Sequence, residues 1–181
     1  MTFKAEIRAS IGWNWNQGAA DNQRLDSTRQ LLEGNGAGQA EAVWHDEDVP
    51  LQDGVSETID LTRLQRDALG ATLTTTLLGV KAMLVLSDRT SVGRLVLGGA
   101  GPDEWSAPFG ADGDSLEVPP DGVVLLANRG DGWPVDDAAK LLKLSAVGGP
   151  VMYSIALVGT LTSSGSASGG SGSGSSGSSG A

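Results

Sequence analysis

Residues 140–159 read KLLKLSAVGGPVMYSIALVG, and in them Val151, Tyr153, Ile155 and Leu157 share one parity. An alternation of this kind places every second side chain on one buried face, the mark of a strand. Gly148 and Gly149 stand between the two apolar runs and supply the backbone freedom that a tight reversal needs. The stretch predicts a hairpin.

The same device recurs upstream. SLEVPPDGVVLLAN (115–128) sets Pro119, Pro120, Asp121 and Gly122 between two β-rich runs, and SVGRLVLGGAG (91–101) is a short apolar strand closing in glycines. In LLGVKAMLVLSD (77–88), Val80, Ala82, Leu84 and Leu86 share a parity while Met83 and Val85 fill the other, which predicts a strand buried on both faces. TRLQRDALGATL (62–73) predicts a single helical turn, and Asp53–Gly54 a turn ahead of a short strand through Val55, Thr58, Ile59 and Leu61. AEAVWHDEDVPL (40–51) alternates Ala40, Ala42 and Trp44 against Glu41, Val43 and His45, with Pro50 marking an edge.

Near the N-terminus, Phe3, Ala5, Ile7, Ala9, Ile11, Trp13 and Trp15 fall on one parity and charged or polar residues on the other. This predicts a long strand with one buried face, bent or bulged at Gly12. Residues 18–38 are less regular, compatible with a short helix or an irregular strand, and are read as a strand followed by a GNGAG turn or loop. Many short strands with Gly, Pro and Asp punctuation argue an all-β, antiparallel β-sandwich of jelly-roll type. The expected domain spans residues 1–159, and 160–181 form a Ser/Gly-rich C-terminal arm or linker, flexible or ordered only by assembly.

A net charge of −10 and a sequence pI near 4.4 argue against a grip on phosphate backbones, which needs clustered Lys and Arg. Without cysteine there is no disulfide framework, thiolate metal site or cysteine nucleophile. No apolar run is long enough to span a bilayer or to serve as a secretory signal, so the expectation is a soluble protein made in the cytoplasm with no nucleic-acid or membrane partner.

Four groups of residues invite a chemical reading. His45 sits in WHDED with Asp46, Glu47 and Asp48, but one imidazole without a second ligand at helical or strand spacing reads better as a solvated strand end. Asp112, Asp114 and Glu117 in ADGDSLE lack the full calcium-loop pattern and read as a turn. Arg129-Gly130-Asp131 in NRGDGWP is composed of loop residues and is read as one. Trp105, Phe109 and Trp133 lie in loops, in PDEWSAPF and GDGWP, and are the candidates for contact with a ligand or an adjoining subunit. No nucleophile elbow, phosphate loop or serine triad is present, so an enzyme would have to run on carboxylates alone, and nothing selects a pair of them.

The succession GNGAGQAEAVWHDEDVPLQDGVSETIDLTRL, GVKAMLVLSD, RLVLGGAGPDEWSAPFGADGDSLEVPPDGVVLLANRGDGWPV and LLKLSAVGGPVMYSIALVG resembles small virion structural proteins of tailed bacteriophages. The likeness covers residues 34–159 and rests on the Trp-Asp-like element before the D-L turn, the G-G strand ahead of an aromatic loop, and the terminal strand ending in glycine. PPDG stands where a glycine-richer turn is expected, and WHDED is more acidic than the pattern. The resemblance implies a non-enzymatic capsid-decoration or tail/fibre component, made in the host cytoplasm and located in the virion. It implies self-association and contacts with other virion proteins, and no cofactor or catalytic residue. The alternative from a different class is a carbohydrate- or host-receptor-binding module using Trp105 and Trp133.

Overall fold

The computed structural model describes residues 3–16, 20–68 and 71–161, and the side chains at 13–23 and 66–73 lie outside what is described. The expectations for the Trp13 and Trp15 side chains and for the C-terminal Ser/Gly run therefore lie outside the described residues. Those described form an all-β protein without helix. Its strands are β1 (Lys4–Asn16), β2 (Ala20–Glu33), β3 (Gln39–Ala40), β4 (Ala42–Leu51), β5 (Ser56–Asp60), β6 (Leu64–Ala68) and β7 (Ala71–Thr75). They continue as β8 (Leu77–Ser87), β9 (Arg94–Gly98), β10 (Ser115–Val118), β11 (Val123–Ala127), β12 (Trp133–Pro134), β13 (Leu141–Val147) and β14 (Val151–Leu161). β14 runs to Leu161, whose amide donates to the Glu41 carboxylate.

Two antiparallel sheets make the body. One has the order β11-β8-β14-β4, with β12 added along β8; the other has the order β10-β9-β13-β5. The apolar parity read from the sequence is the buried one: Val151, Tyr153, Ile155 and Leu157 of β14 join Leu142, Leu144 and Ala146 of β13 in a single hydrophobic cluster. Each Val, Leu or Ile side chain so withdrawn from water contributes on the order of 1.5–3 kcal/mol. β8 is buried nearly throughout, as its two filled parities require, and β4 is an edge strand that tolerates Pro50.

The glycine and proline turns do reverse the chain, but not as hairpins. β10 pairs with β9 and β11 with β8, so PPDG carries the chain from one sheet to the other. Likewise β13 pairs with β5 and β9, whereas β14 pairs with β4 and β8, so Gly148–Gly149 turns a corner between sheets. Turn chemistry dictates the reversal; which sheet receives the next strand is decided by burial of its apolar face. The closeness of this corner is set by glycine: a Cβ on Gly93 would lie 2.2 Å from the Gly149 carbonyl oxygen.

Among the described residues of 62–73 no helical turn forms; β6 and β7 pair as two short antiparallel strands instead. Thr72, Thr74 and Thr75 favour extended backbone, and the Trp44 indole donates to the Gln65 carbonyl at 2.9 Å, tying β6 to the body.

β1 and β2 form one long antiparallel ribbon with unbroken register from Lys4↔Leu32 to Asn16↔Ala20. There is no bulge at Gly12. Nor is the alternating face buried along its length: Ala5 and Ile7 are half-buried near the body, but Ala9 and Ile11 are exposed. At about 3.3 Å per residue the ribbon is roughly 40 Å long. Its base is held by β3, which pairs in parallel with the end of β2, and by Leu31, which is fully buried.

Candidate functional site

The three aromatic residues singled out from the loops do come together. Trp105 stacks edge-on against Phe109 with ring centroids 6.4 Å apart, and edge-on against Trp133 at 6.3 Å. Trp133 is placed by β12 alongside β8, and Trp105 by the pairing of its amide with the Leu141 carbonyl. Trp105 itself is part of the core. Trp105 is 0% exposed, and its indole N–H donates to the Pro134 carbonyl at 2.9 Å. A large aromatic ring with a satisfied polar handle is a packing element; Phe109 and Trp133 keep part of their surface in solvent.

The carboxylates of the same loop are committed to shaping it. Buried Glu104 accepts the Gly99 amide on one oxygen and the Gly113 amide on the other. Asp112 accepts the Ser106 hydroxyl and Asp114 the Ala111 amide, while Glu117 pairs with Arg94 on neighbouring β9. This is the chemistry of a folded turn, as the sequence suggested for Asp112 and Asp114. Among the described residues no three metal-ligating side chains converge. His45 lies on the outer surface of β4, with Nδ1 3.1 Å from a Glu47 oxygen. One residue on, Asp48 adopts a left-handed φ of 55° at a register shift opposite Ser154.

Arg129-Gly130-Asp131 has a structural task. The Arg129 carbonyl accepts the Gly38 amide at 2.7 Å and its guanidinium donates to the Gln30 carbonyl at 3.0 Å, so this loop fastens the base of the ribbon to the body. From below, the amine of Lys81, only 1% exposed, donates to the Gly130 carbonyl. A polar group inside a β core is costly unless a hydrogen-bond partner meets it, and the Gly130 carbonyl is that partner.

The surface that the loops did not reveal is the outer face of the β11-β8-β14-β4 sheet together with the ribbon above it. A solvated sheet face alternates with polar residues, yet this one presents Leu84, Leu86, Val123, Leu125, Ala156 and Val158. Ile7 and the flanking Glu6 and Arg8 close over part of it, leaving a cleft of about 200 Å³ against Ala82, Leu84, Leu125, Ala156 and Val158. A second hollow of about 210 Å³ on the same face runs from Leu84 and Leu86 to His45 and Glu47. The outward parity of β8 and β11 carried this signal in the sequence, concealed because a doubly apolar strand also reads as a central buried one.

No family model matches the chain, and neither a curated protein nor a solved structure is significantly similar to it.

Proposed function

We propose that the chain is a jelly-roll virion structural protein of the tailed-bacteriophage kind, a capsid-decoration or tail/fibre component that works by self-association and by contact with other virion proteins. The strand succession supports the architecture. Of the connections linking β4, β5, β8, β9, β10, β11, β13 and β14, only β9 to β10 stays within a sheet. Eight strands in two sheets with such crossings favour the double Greek key that viral capsid and lectin domains use.

Architecture alone does not assign a role. The observation that carries this one is the β1–β2 ribbon, which leaves the body and, beyond its base, exposes apolar side chains on both strands. A two-stranded ribbon is marginal by itself in water; one that a protein retains at such length is an arm awaiting a neighbour. A glycan-binding role rested on Trp105 and Trp133 as a stacking platform, and the burial of Trp105 removes half of it.

The test uses particles released by a host that carries the gene, banded on a density gradient and probed with antibody against the purified chain. Label is expected in the particle band at constant ratio to the major shell or tail protein. Label confined to the unsedimented fraction overturns the reading.

A further inference from the structure

We infer that the distal half of the β1–β2 arm docks on the outer face of the β11-β8-β14-β4 sheet of a second copy, and that the exchange is reciprocal. The inference rests on the self-association proposed above and names the surface responsible.

Ile11 and Leu25 stand directly opposite each other in the ribbon register, and opposite residues project from the same face. Each is 69% exposed. They continue outward the stripe that begins with fully buried Leu31 and half-buried Ile7. Within one chain the inner part of this stripe already covers Leu84, Leu125 and Ala156. The apolar sheet extends beyond that cover, to Leu86 at 39% exposure and Val123 at 66%. The arm thus overruns its own sheet, and the sheet overruns its own arm. A second copy related by a two-fold axis offers each surplus the surface it lacks, in an isologous contact.

Charge selects the arm as the approaching element. Residues 4–33 carry four basic residues (Lys4, Arg8, Arg24, Arg29) and four acidic ones (Glu6, Asp21, Asp26, Glu33), so the net charge of −10 belongs to the rest of the chain. Body against body is repulsive, whereas a neutral arm meets an acidic body without that penalty.

The experiment measures mass in solution by light scattering, for the full chain and two double variants. Ile11→Lys with Leu25→Lys spoils the arm; Leu86→Lys with Val123→Lys spoils the sheet. The unmodified chain is expected at twice its 18.4 kDa, and each variant at the mass of one chain, with circular dichroism unchanged because the replaced side chains face solvent. An equimolar mixture of the two variants is expected to pair more than either variant alone, since one intact arm then meets one intact sheet, half of the reciprocal contact. A single-chain mass for the unmodified protein, a pair that survives either double variant, or a mixture that stays single overturns the exchange.

Should a lysine variant fail to fold, the absence of cysteine provides a second route. Leu25→Cys and Val123→Cys chains, mixed and treated with a short bis-maleimide, are expected to give a covalent heteropair in preference to either homopair, and the opposite preference overturns the exchange. Failure here is distinguishable from failure of the virion reading, because a chain can sit in particles through another partner, or pair by its arms and be absent from particles.

Discussion

The Tyr153 hydroxyl donates to a Glu57 carboxylate oxygen at 2.8 Å, joining β14 of one sheet to β5 of the other. Tyr153 is 1% exposed and its ring belongs to the central cluster, while Glu57 is half-buried at the margin. A hydrogen bond to a charged acceptor contributes about 1.5–3 kcal/mol. Because water can reach Glu57 when the phenol is gone, Tyr153→Phe is expected near the low end of that range, read as a lower midpoint in urea with unchanged slope.

The same pair makes stability pH-dependent on the alkaline side. Burial, together with the Glu57 hydrogen bond and charge, pushes the phenol far above its ordinary value of 10. The unfolded chain loses this proton near pH 10 while the folded chain keeps it, so the unfolded state binds fewer protons and stability falls as pH rises above 10. Tyr153 is the sole tyrosine, so tyrosinate absorbance reports it alone. Absorbance is expected to rise near pH 10 in denaturant, and in buffer only where the fold is lost. A transition near pH 10 in the folded protein contradicts this arrangement.

Gly159 of β14 stands against β8 at the register shift beyond Val158. A Cβ there would lie 2.3 Å from the Gly79 carbonyl oxygen, a backbone atom that cannot swing aside. Gly159→Ala is expected to cost about 1–3 kcal/mol as overpacking, or roughly 2–12 °C in Tm for a chain of this size. Gly54→Ala meets nothing within 4 Å but sits at a φ of +73°, so its smaller loss comes from backbone strain alone. Thermal melts of the two variants separate crowding from conformation.

Trp105→Ala removes a fully buried indole and leaves a cavity between Phe109 and Trp133, expected to cost about 3–5 kcal/mol. Trp133→Ala, from a half-buried position, costs less. If the two were a ligand platform, the order would show in binding and not in melting.

How much of this was legible in the sequence differs by element. The period of two placed Trp44, Tyr153, Ile155 and Leu157 on the core side, because alternation is a direct image of burial in a strand. The ribbon defeated the same argument: Ala9 and Ile11 alternate as well as any core strand, but among the described residues β1 pairs with β2 alone and both side chains stay exposed. Period reports that a face wants cover; it does not report what covers it. PPDG and Gly148–Gly149 were recognised as reversals, yet their sheet crossings depend on contacts between residues far apart in the chain. Trp105, Phe109 and Trp133 were read only as loop residues free for contact; neither their grouping nor the burial of Trp105 was legible, since a loop position says nothing about the depth at which the loop lies.

That depth is maintained by Glu104, the buried carboxylate under the 99–114 loop. Its two oxygens accept the amides of Gly99 and Gly113, fixing the ends of the loop that carries Trp105 and Phe109. Glu104→Gln keeps the shape but offers one acceptor and one amide group, so an N–H donor must face another donor. An unsatisfied buried donor costs about 1–3 kcal/mol. Both glycine amides are expected to exchange hydrogen faster in Glu104→Gln, by about tenfold for each 1.4 kcal/mol of local stability lost. Amides in β14, on the far sheet, should change only by the global loss. Equal acceleration in the loop and in β14 would mean that Glu104 supports the whole fold and not this loop in particular.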